Sequence, residues 1–458
     1  MARIRRMFSI DEGETESPGI GNGALIDADL TPTARQAERI LGLSLTQAPG
    51  RRAVAVFLGK DDYDKVEYIV DELAGALMLE CLGAFVRAGG GQVVKALRFG
   101  NGGEVVNAVQ RSVAVGGVTR SHLVEGYLFV HGPDQRVCVS AELIPVQYRN
   151  KYQITLRADR DCAGFWRGWQ EFTHRNNYLR GQAFFADGEI IERKRSYSWD
   201  DILLPEATKA LIGTHVEGFL RNRARLKALG VKARRGLILS GPPGTGKTLL
   251  GKVLADTLEA SFLWVAPRHV QHPLSFQEIM SVARLVRPVV LFLEDLDLFA
   301  EERGHGDGAA LGELMNQLDG AIDNEDIVTI ATTNRLDVIE KALRNRPGRF
   351  DRLIEMGPLD EPCRRKMLQK LMAHAVLSPI DLAHLIAATA DYTGAQLEEL
   401  ANTLYILAAE RLQAYNTPMD TSPASPSPEV IGVDRLLIET ALAEMKFEHK
   451  GRLGFHAA

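Results

Sequence analysis

The chain has 458 residues, 45% of them hydrophobic and 25% charged, with a formal net charge of −5. That length and apolar content suit roughly two to four packed domains and exclude a disordered chain. Mild acidity argues against bulk nucleic-acid binding, and four scattered cysteines without C-x-x-C spacing (Cys81, Cys138, Cys162 and Cys363) argue against a disulfide frame or a zinc site and for reduced thiols in a cytoplasmic protein.

From the N-terminus, Arg3, Arg5 and Arg6 are followed at once by Asp11, Glu12 and Glu14, so the arginines introduce no apolar leader. Residues 11–32 read as a polar lead-in. Residues 53–58 read as a strand. Residues 63–80, apolar at Val66, Ile69, Val70, Leu73 and Leu77, read as an amphipathic helix. The longest apolar stretch, 74–86, is broken by Glu80 and falls short of the ~20 residues a membrane span needs. Residues 127–130 and 136–139 flank Gly132-Pro133-Asp134 as a hairpin, continued by a strand at 152–156. Residues 162–180 read as a helix that packs Phe165, Trp166, Trp169 and Phe172 on the sheet. The front of the chain, 1–195, is therefore expected to be an α+β region. His131, His174, His269 and His272 form no metal constellation, and the basic run 221–235 reads as a surface helix.

The chemistry begins at the next strand, 236–240. It runs into Gly241, Pro242, Pro243, Gly244, Thr245, Gly246, Lys247 and Thr248, a full match to the phosphate-binding pattern G-x-x-x-x-G-K-[ST]. Residues 247–260 follow with apolar side chains at helical spacing, at Leu249, Leu250, Val253, Leu254 and Leu258. Strand, glycine loop and helix together aim backbone N–H groups and a helix N-terminus at a phosphate. Lys247 then meets the β- and γ-phosphates of a nucleotide and Thr248 holds Mg²⁺. A second buried strand, 289–293, ends in Glu294-Asp295-Leu296-Asp297, at the strand ends where open α/β sheets bind ligands. One acid serves the Mg²⁺ shell and the other orients or deprotonates the attacking water. A third strand, 327–331, ends in Thr332-Thr333-Asn334, which places Asn334 for the γ-phosphate or the water. Arg349 and Arg352 sit three apart beyond a Pro-Gly turn, and arginine stabilises charge on a transferring phosphoryl group.

GPPGTGKT, LFLEDLD, ATTNR and RPGRFDR, in this order and spacing, resemble the AAA family of ring-forming ATPases from about Tyr197 onward. The resemblance implies a P-loop α/β module over 196–359, a parallel sheet with flanking helices, and a helical lid over 360–458, interrupted by a Pro/Ser-rich loop at 415–428. It implies a hexamer-like ring with ATP at subunit interfaces, Asn334 as sensor, and Arg349 and Arg352 as fingers acting on a neighbour's ATP. Asp201-Ile202 would run under the adenine, and Gly394-Ala395 would bring the lid to the nucleotide. The acid order Glu294-Asp295 is similar to the branch that includes the mitochondrial translocase of the Rieske iron–sulfur protein; by position, Glu294 serves Mg²⁺ and Asp295 the water. The pore stretch 268–274 has neither the aromatic nor the glycine of peptide-threading members. The expected function is ATP-driven remodelling, disassembly or movement of a protein client recognised by 1–195. A nucleic-acid remodeller or an ATP-gated assembly switch is the alternative.

Overall fold

The structure is a computed structural model that describes residues 50–452 apart from 61, 100–104, 116–117, 147–148, 193–194, 232–233, 271, 273–274, 300–308, 320–323, 344–349 and 416–430. The polar lead-in, Arg349, most of the loop 415–428 and three residues of the pore stretch lie outside the described residues. The chain divides into two compact units. One takes the described residues up to Glu192 with Ala260–Trp264 and His269–Val290, the other Arg193–Glu259, Val265–Arg268 and the residues from Leu291 onward.

The first unit opens with α1 (Gly50–Leu58), β1 (Asp64–Asp71) and α2 (Glu72–Ala88). Five strands follow: β2 (Gln92–Phe99), β3 (Val105–Val106), β4 (Val109–Val115), β5 (Val118–His131) and β6 (Arg136–Val146), then β7 (Arg149–Ala158) and α3 (Cys162–Asn176). The strands form one sheet in the order β1-β7-β6-β5-β2-β3, with β4 paired to β5. The hairpin at Gly132-Pro133-Asp134 joins β5 to β6 as expected, pairing His131 with Arg136. Period-two alternation assigns side chains to the two faces. Leu128, Val130, Val137 and Val139 enter the core under α2 and α3, whereas Phe129 and Cys138 turn to α1.

Two expectations fail here. Residues 53–58 are helical, and the buried set Ala53, Val54, Phe57 and Leu58 follows a helical face. Residues 63–80 are not one helix. Val66, Tyr68 and Val70 pack on the core while Lys65, Glu67 and Ile69 point outward, so the local period is two up to Asp71. The aromatic helix is as expected. Trp166 stacks on Tyr68 with ring centroids 3.7 Å apart, and Trp169 donates Nε1–H to the Met78 carbonyl at 2.8 Å.

A six-stranded sheet has the order β13-β9-β12-β11-β10-β8. Its members are β8 (Ala183–Phe185), β9 (Arg234–Ser240), β10 (Ser261–Val265), β11 (Val289–Leu293), β12 (Ile327–Thr333) and β13 (Arg352–Glu355). The pairs β8–β10, β9–β12 and β9–β13 are parallel. Strands β9 to β12 read as near-continuous apolar runs because they are buried on both faces. Between the strands lie α4 (Glu206–Ile212), α5 (Phe219–Ala228), α6 (Lys247–Thr257), α7 (Ser275–Leu285), α8 (Ala309–Asp319) and α9 (Leu336–Leu343). Phe276 of α7 is fully buried. The C-terminal helices α10 (Glu361–Leu371), α11 (Pro379–Ala388), α12 (Gly394–Tyr415) and α13 (Arg435–Arg452) share a core of their own, centred on Leu368, Leu385, Leu400 and Ile438.

All four cysteines are free and buried. Burial lifts the Cys138 and Cys162 thiols to about 12. No helix among the described residues is long and apolar enough to cross a membrane.

Candidate active site

The loop between β9 and α6 is shaped by its glycines. Gly244 and Gly246 have φ of +80° and +92°, the left-handed region open to glycine. A Cβ on Gly241 would fall 1.9 Å from the Met356 carbonyl oxygen, and one on Gly244 would fall 2.6 Å from Ala395 Cβ. Helix α6 begins at Lys247, so its free N–H groups open onto the loop. The residues thus fit a polyphosphate: a glycine-lined concavity, a helix N-terminus and a buried ammonium. Lys247 is 7% exposed, and its Nζ donates to the carbonyls of Gly241 (2.7 Å) and Pro242 (2.9 Å). Burial pulls this ammonium below its ordinary pKa, with Asp295 and Asp297 opposing. Both effects tie it to a spot where a negative ligand compensates its desolvation.

Thr248 and Glu294 fit a Mg²⁺ ion. The Thr248 hydroxyl donates to Glu294 Oε1 at 2.7 Å, so an alcohol oxygen and a carboxylate from α6 and the end of β11 already converge. Oxygen ligands of this kind, completed by phosphate and water, are what Mg²⁺ takes.

Asp295 is set by β12. Its backbone N–H donates to Thr332 Oγ1 at 3.0 Å, and the Leu296 N–H to the Thr332 carbonyl at 2.7 Å. Its φ is +51°, left-handed, a conformation that aspartate tolerates better than most side chains. Asn334 Nδ2 donates to Asp295 Oδ1 at 3.3 Å. Burial first, then repulsion from Glu294 and Asp297, raises the Asp295 carboxyl above the usual range, while Lys247 and Asn334 oppose. Asp297 is a brace that sequence reasoning missed. It is 5% exposed and its Oδ1 accepts from Thr333 Oγ1 (2.8 Å) and the Asn334 N–H (3.2 Å), fixing the residue that carries Asn334. The available signal was the third acid in Glu294-Asp295-Leu296-Asp297 facing two threonines at the end of the neighbouring strand.

The lid completes the site. Thr393 and Gln396 cap α12 reciprocally: the Thr393 N–H donates to Gln396 Oε1 at 2.8 Å and the Gln396 N–H to Thr393 Oγ1 at 3.4 Å. The capped end places Gly394 and Ala395 beside the loop, where the Ala395 N–H donates to the Gly244 carbonyl at 3.1 Å. A cavity of about 560 Å³ results, lined on the phosphate side by Pro243, Thr245, Lys247 and Thr248 and on the far side by Ile202, Gly394 and Ala395, with Asp295 and Asn334 at its end. Of the expected site residues, Gly241, Pro242 and Glu294 do not themselves line the cavity; Glu294 reaches it through Thr248. Arg352 is exposed on β13 and does not line the cavity either. Arg349 lies outside the described residues.

Residues 237–358 match the family model described as "ATPase family associated with various cellular activities (AAA)". Curated relatives include "ATP-dependent zinc metalloprotease FtsH 2" of Salinibacter ruber, 33% identical over 50% of this chain and 36% of that protein. "Protein SAV" of Sulfolobus acidocaldarius is 34% identical over 50% of this chain and 31% of its own length. "ATPase family gene 2 protein homolog A" of Homo sapiens is 34% identical over 53% and 28%. The chain thus spans about a third of the length of these relatives. With the phosphate loop, the paired acids and the lid contact gathered on one cavity, residues 237–358 are an AAA ATPase domain.

Proposed function

We propose that the chain hydrolyses ATP and uses the energy to remodel, disassemble or move a protein client, working as a homo-oligomeric ring, hexameric by resemblance, and binding the client through its N-terminal region, residues 1–195. The observation that carries the ATPase reading is the convergence of Lys247, the Thr248–Glu294 pair and the Asp295–Asn334 pair on one cavity. In this reading the backbone N–H groups of Gly244, Thr245 and Gly246, together with Lys247, hold the β- and γ-phosphates. Thr248 and Glu294 hold Mg²⁺ and its waters. Held there, Mg²⁺ would supply neutralisation of the charge on the phosphate oxygens. Asp295 accepts the proton of the attacking water, and Asn334 fixes that water's position and keeps Asp295 turned toward it. Ile202 and Ala395 enclose the base from either side. Thr332 and Asp297 hold the two strand ends in register and so act as positioning residues.

The protein-remodelling part rests on the relatives' kinship with the domain and on the acid order Glu294-Asp295, which is similar to the Rieske-translocase branch. That branch similarity, together with a pore stretch lacking aromatic and glycine residues, favours a client handled as a folded body. Calorimetry on Lys247→Ala tests the core claim. ATP affinity collapses while the melting temperature stays near wild type; wild-type affinity in that variant overturns the reading. Stimulation of turnover by DNA or RNA in place of protein would move the client assignment to nucleic acid.

A further inference from the structure

The first unit contains a second cavity, of about 940 Å³, which ATP hydrolysis leaves without a task. Two polar side chains on its wall lack partners among the described residues. Tyr152, on β7, is fully buried, and its hydroxyl bonds to nothing. His122, on β5, is 6% exposed, and its Nε2 is equally unpaired. The two rings stand edge to face with centroids 6.2 Å apart. Packing forces Tyr152 into this place: a Cβ on Gly75 of α2 would lie 2.6 Å from its ring. Glycine in mid-helix is less favourable than alanine, so α2 gives up stability to admit the ring. Buried polar groups are ordinarily bonded, and leaving one unmet is unfavourable. Two unmet groups carried by residues that line one cavity mark a place for a ligand.

Charge decides which ligand. The lining carries six carboxylates, Glu72, Glu80, Asp187, Glu189, Glu192 and Glu278, against two guanidinium groups, Arg111 and Arg120. Arg111 is met by Glu72 at 3.1 Å, Arg120 by Glu80 at 2.8 Å, and Glu278 by Arg149 at 3.0 Å. Arg120 Nε is a third unpaired atom, but the charge of its group is already matched. The surplus falls on the rim. Asp187 accepts the Glu189 N–H at 3.1 Å and has His269 at 4.0 Å as its ion-pair contact, and Glu189 and Glu192 have no ion-pair partner among the described residues. Burial first and Arg111 second push His122 below its ordinary pKa, with Glu72 opposing, so the ring is neutral at pH 7. A neutral imidazole with its proton on Nδ1 offers Nε2 as an acceptor, and the tyrosine oxygen accepts too.

We propose that this cleft binds an organic cation, an ammonium or guanidinium, carried by a basic peptide segment or by a polyamine. The cation donates to His122 Nε2 and Tyr152 Oη at the wall, and the rim carboxylates draw it in. The site stands apart from the ATPase reading, since none of its residues lines the nucleotide cavity.

The test uses the full chain without nucleotide, a fluorescein-labelled Lys-Gly repeat peptide, spermidine in a separate titration, and a Glu-Gly repeat as control. The peptide or spermidine binds, the acidic repeat does not, and affinity falls with salt. Tyr152→Phe and His122→Leu each weaken binding about tenfold, the loss of one hydrogen bond to a charged group. Glu189→Gln with Glu192→Gln weakens it mainly at low salt. Binding by the peptide assigns a protein segment; binding by spermidine alone assigns a polyamine. Tyr152→Phe melts no lower than wild type, because its hydroxyl has no bond to lose. Failure of both cations to bind, wild-type affinity in Tyr152→Phe, or a clear drop in its melting temperature overturns the proposal. Lys247→Ala keeps cation binding, so the two readings fail separately.

Discussion

Each acid of the Glu294-Asp295 pair has a different partner, and this separates their roles. Glu294 accepts from the hydroxyl of Thr248, the residue proposed to meet the metal, whereas Asp295 is held by Asn334 and Thr332. Asp295→Asn keeps the left-handed backbone, because asparagine also tolerates it, and keeps the side-chain size. Nucleotide affinity is therefore expected to persist while turnover falls by about 100-fold or more, the range a general base contributes. Glu294→Gln instead raises the Mg²⁺ concentration needed for half-maximal turnover. Equal turnover in Asp295→Asn and wild type sinks the assignment. The raised Asp295 carboxyl adds a pH signature. A base must be ionised, so turnover declines on acidification through its raised value, above the usual carboxylate range, and Asp295→Asn removes that limb. The phosphate loop, the acids and Asn334 were legible because each follows an apolar strand run that fixes its place. Asp297 and Thr332 were not, since bracing between β11 and β12 needs the strand order, which no local pattern carries.

At the level of elements, the tightest constraint is where the phosphate loop leaves β9. The Met356 N–H donates to the Ser240 carbonyl at 2.7 Å just beyond β13, which leaves no room for a side chain on Gly241. Gly241→Ala must push β13 away from β9, and backbone cannot swing aside as a side chain can. The expected cost is about 1–3 kcal/mol, typical of overpacking, read as a lowered denaturant midpoint. Gly357→Ala, one residue past the contact, has open space around it and serves as control. Equal midpoints for the two variants would show that the β9–β13 junction is pliable. Element type was legible where runs were long and one-sided, as in α3 and α6. It failed at 53–58 and 63–71 for a common reason. Short segments dense in Val, Ala and Ile fit both periods, and only the partners decide. Ala53, Val54, Phe57 and Leu58 meet the sheet as one helical face, while Val66, Tyr68 and Val70 pair into β1 against β7.

For the whole molecule, the cavity poses a question of stoichiometry. Phosphoryl transfer is helped by an arginine at the γ-phosphate, yet the described residues lining the site include only Lys247 and Lys370 as cations. Arg352 stands exposed on the edge strand β13, away from the cavity of its own chain. An arginine that does not line its own chain's cavity fits the proposed ring, in which it would act on a neighbour's site. If Arg349 and Arg352 act between subunits, Arg349→Ala chains lack fingers but keep an intact loop, and Lys247→Ala chains lack the loop but keep fingers. Each is inactive alone. Mixed, they form some interfaces that pair an intact loop with intact fingers, so turnover is expected to reappear and to peak at an intermediate ratio. The curve's shape reports how many neighbours must cooperate: one competent interface acting alone gives a broad maximum, a concerted ring a narrow and low one. Shown co-assembly with no turnover at any ratio would mean that the fingers act within their own chain, and the ring would lose its chemical reason.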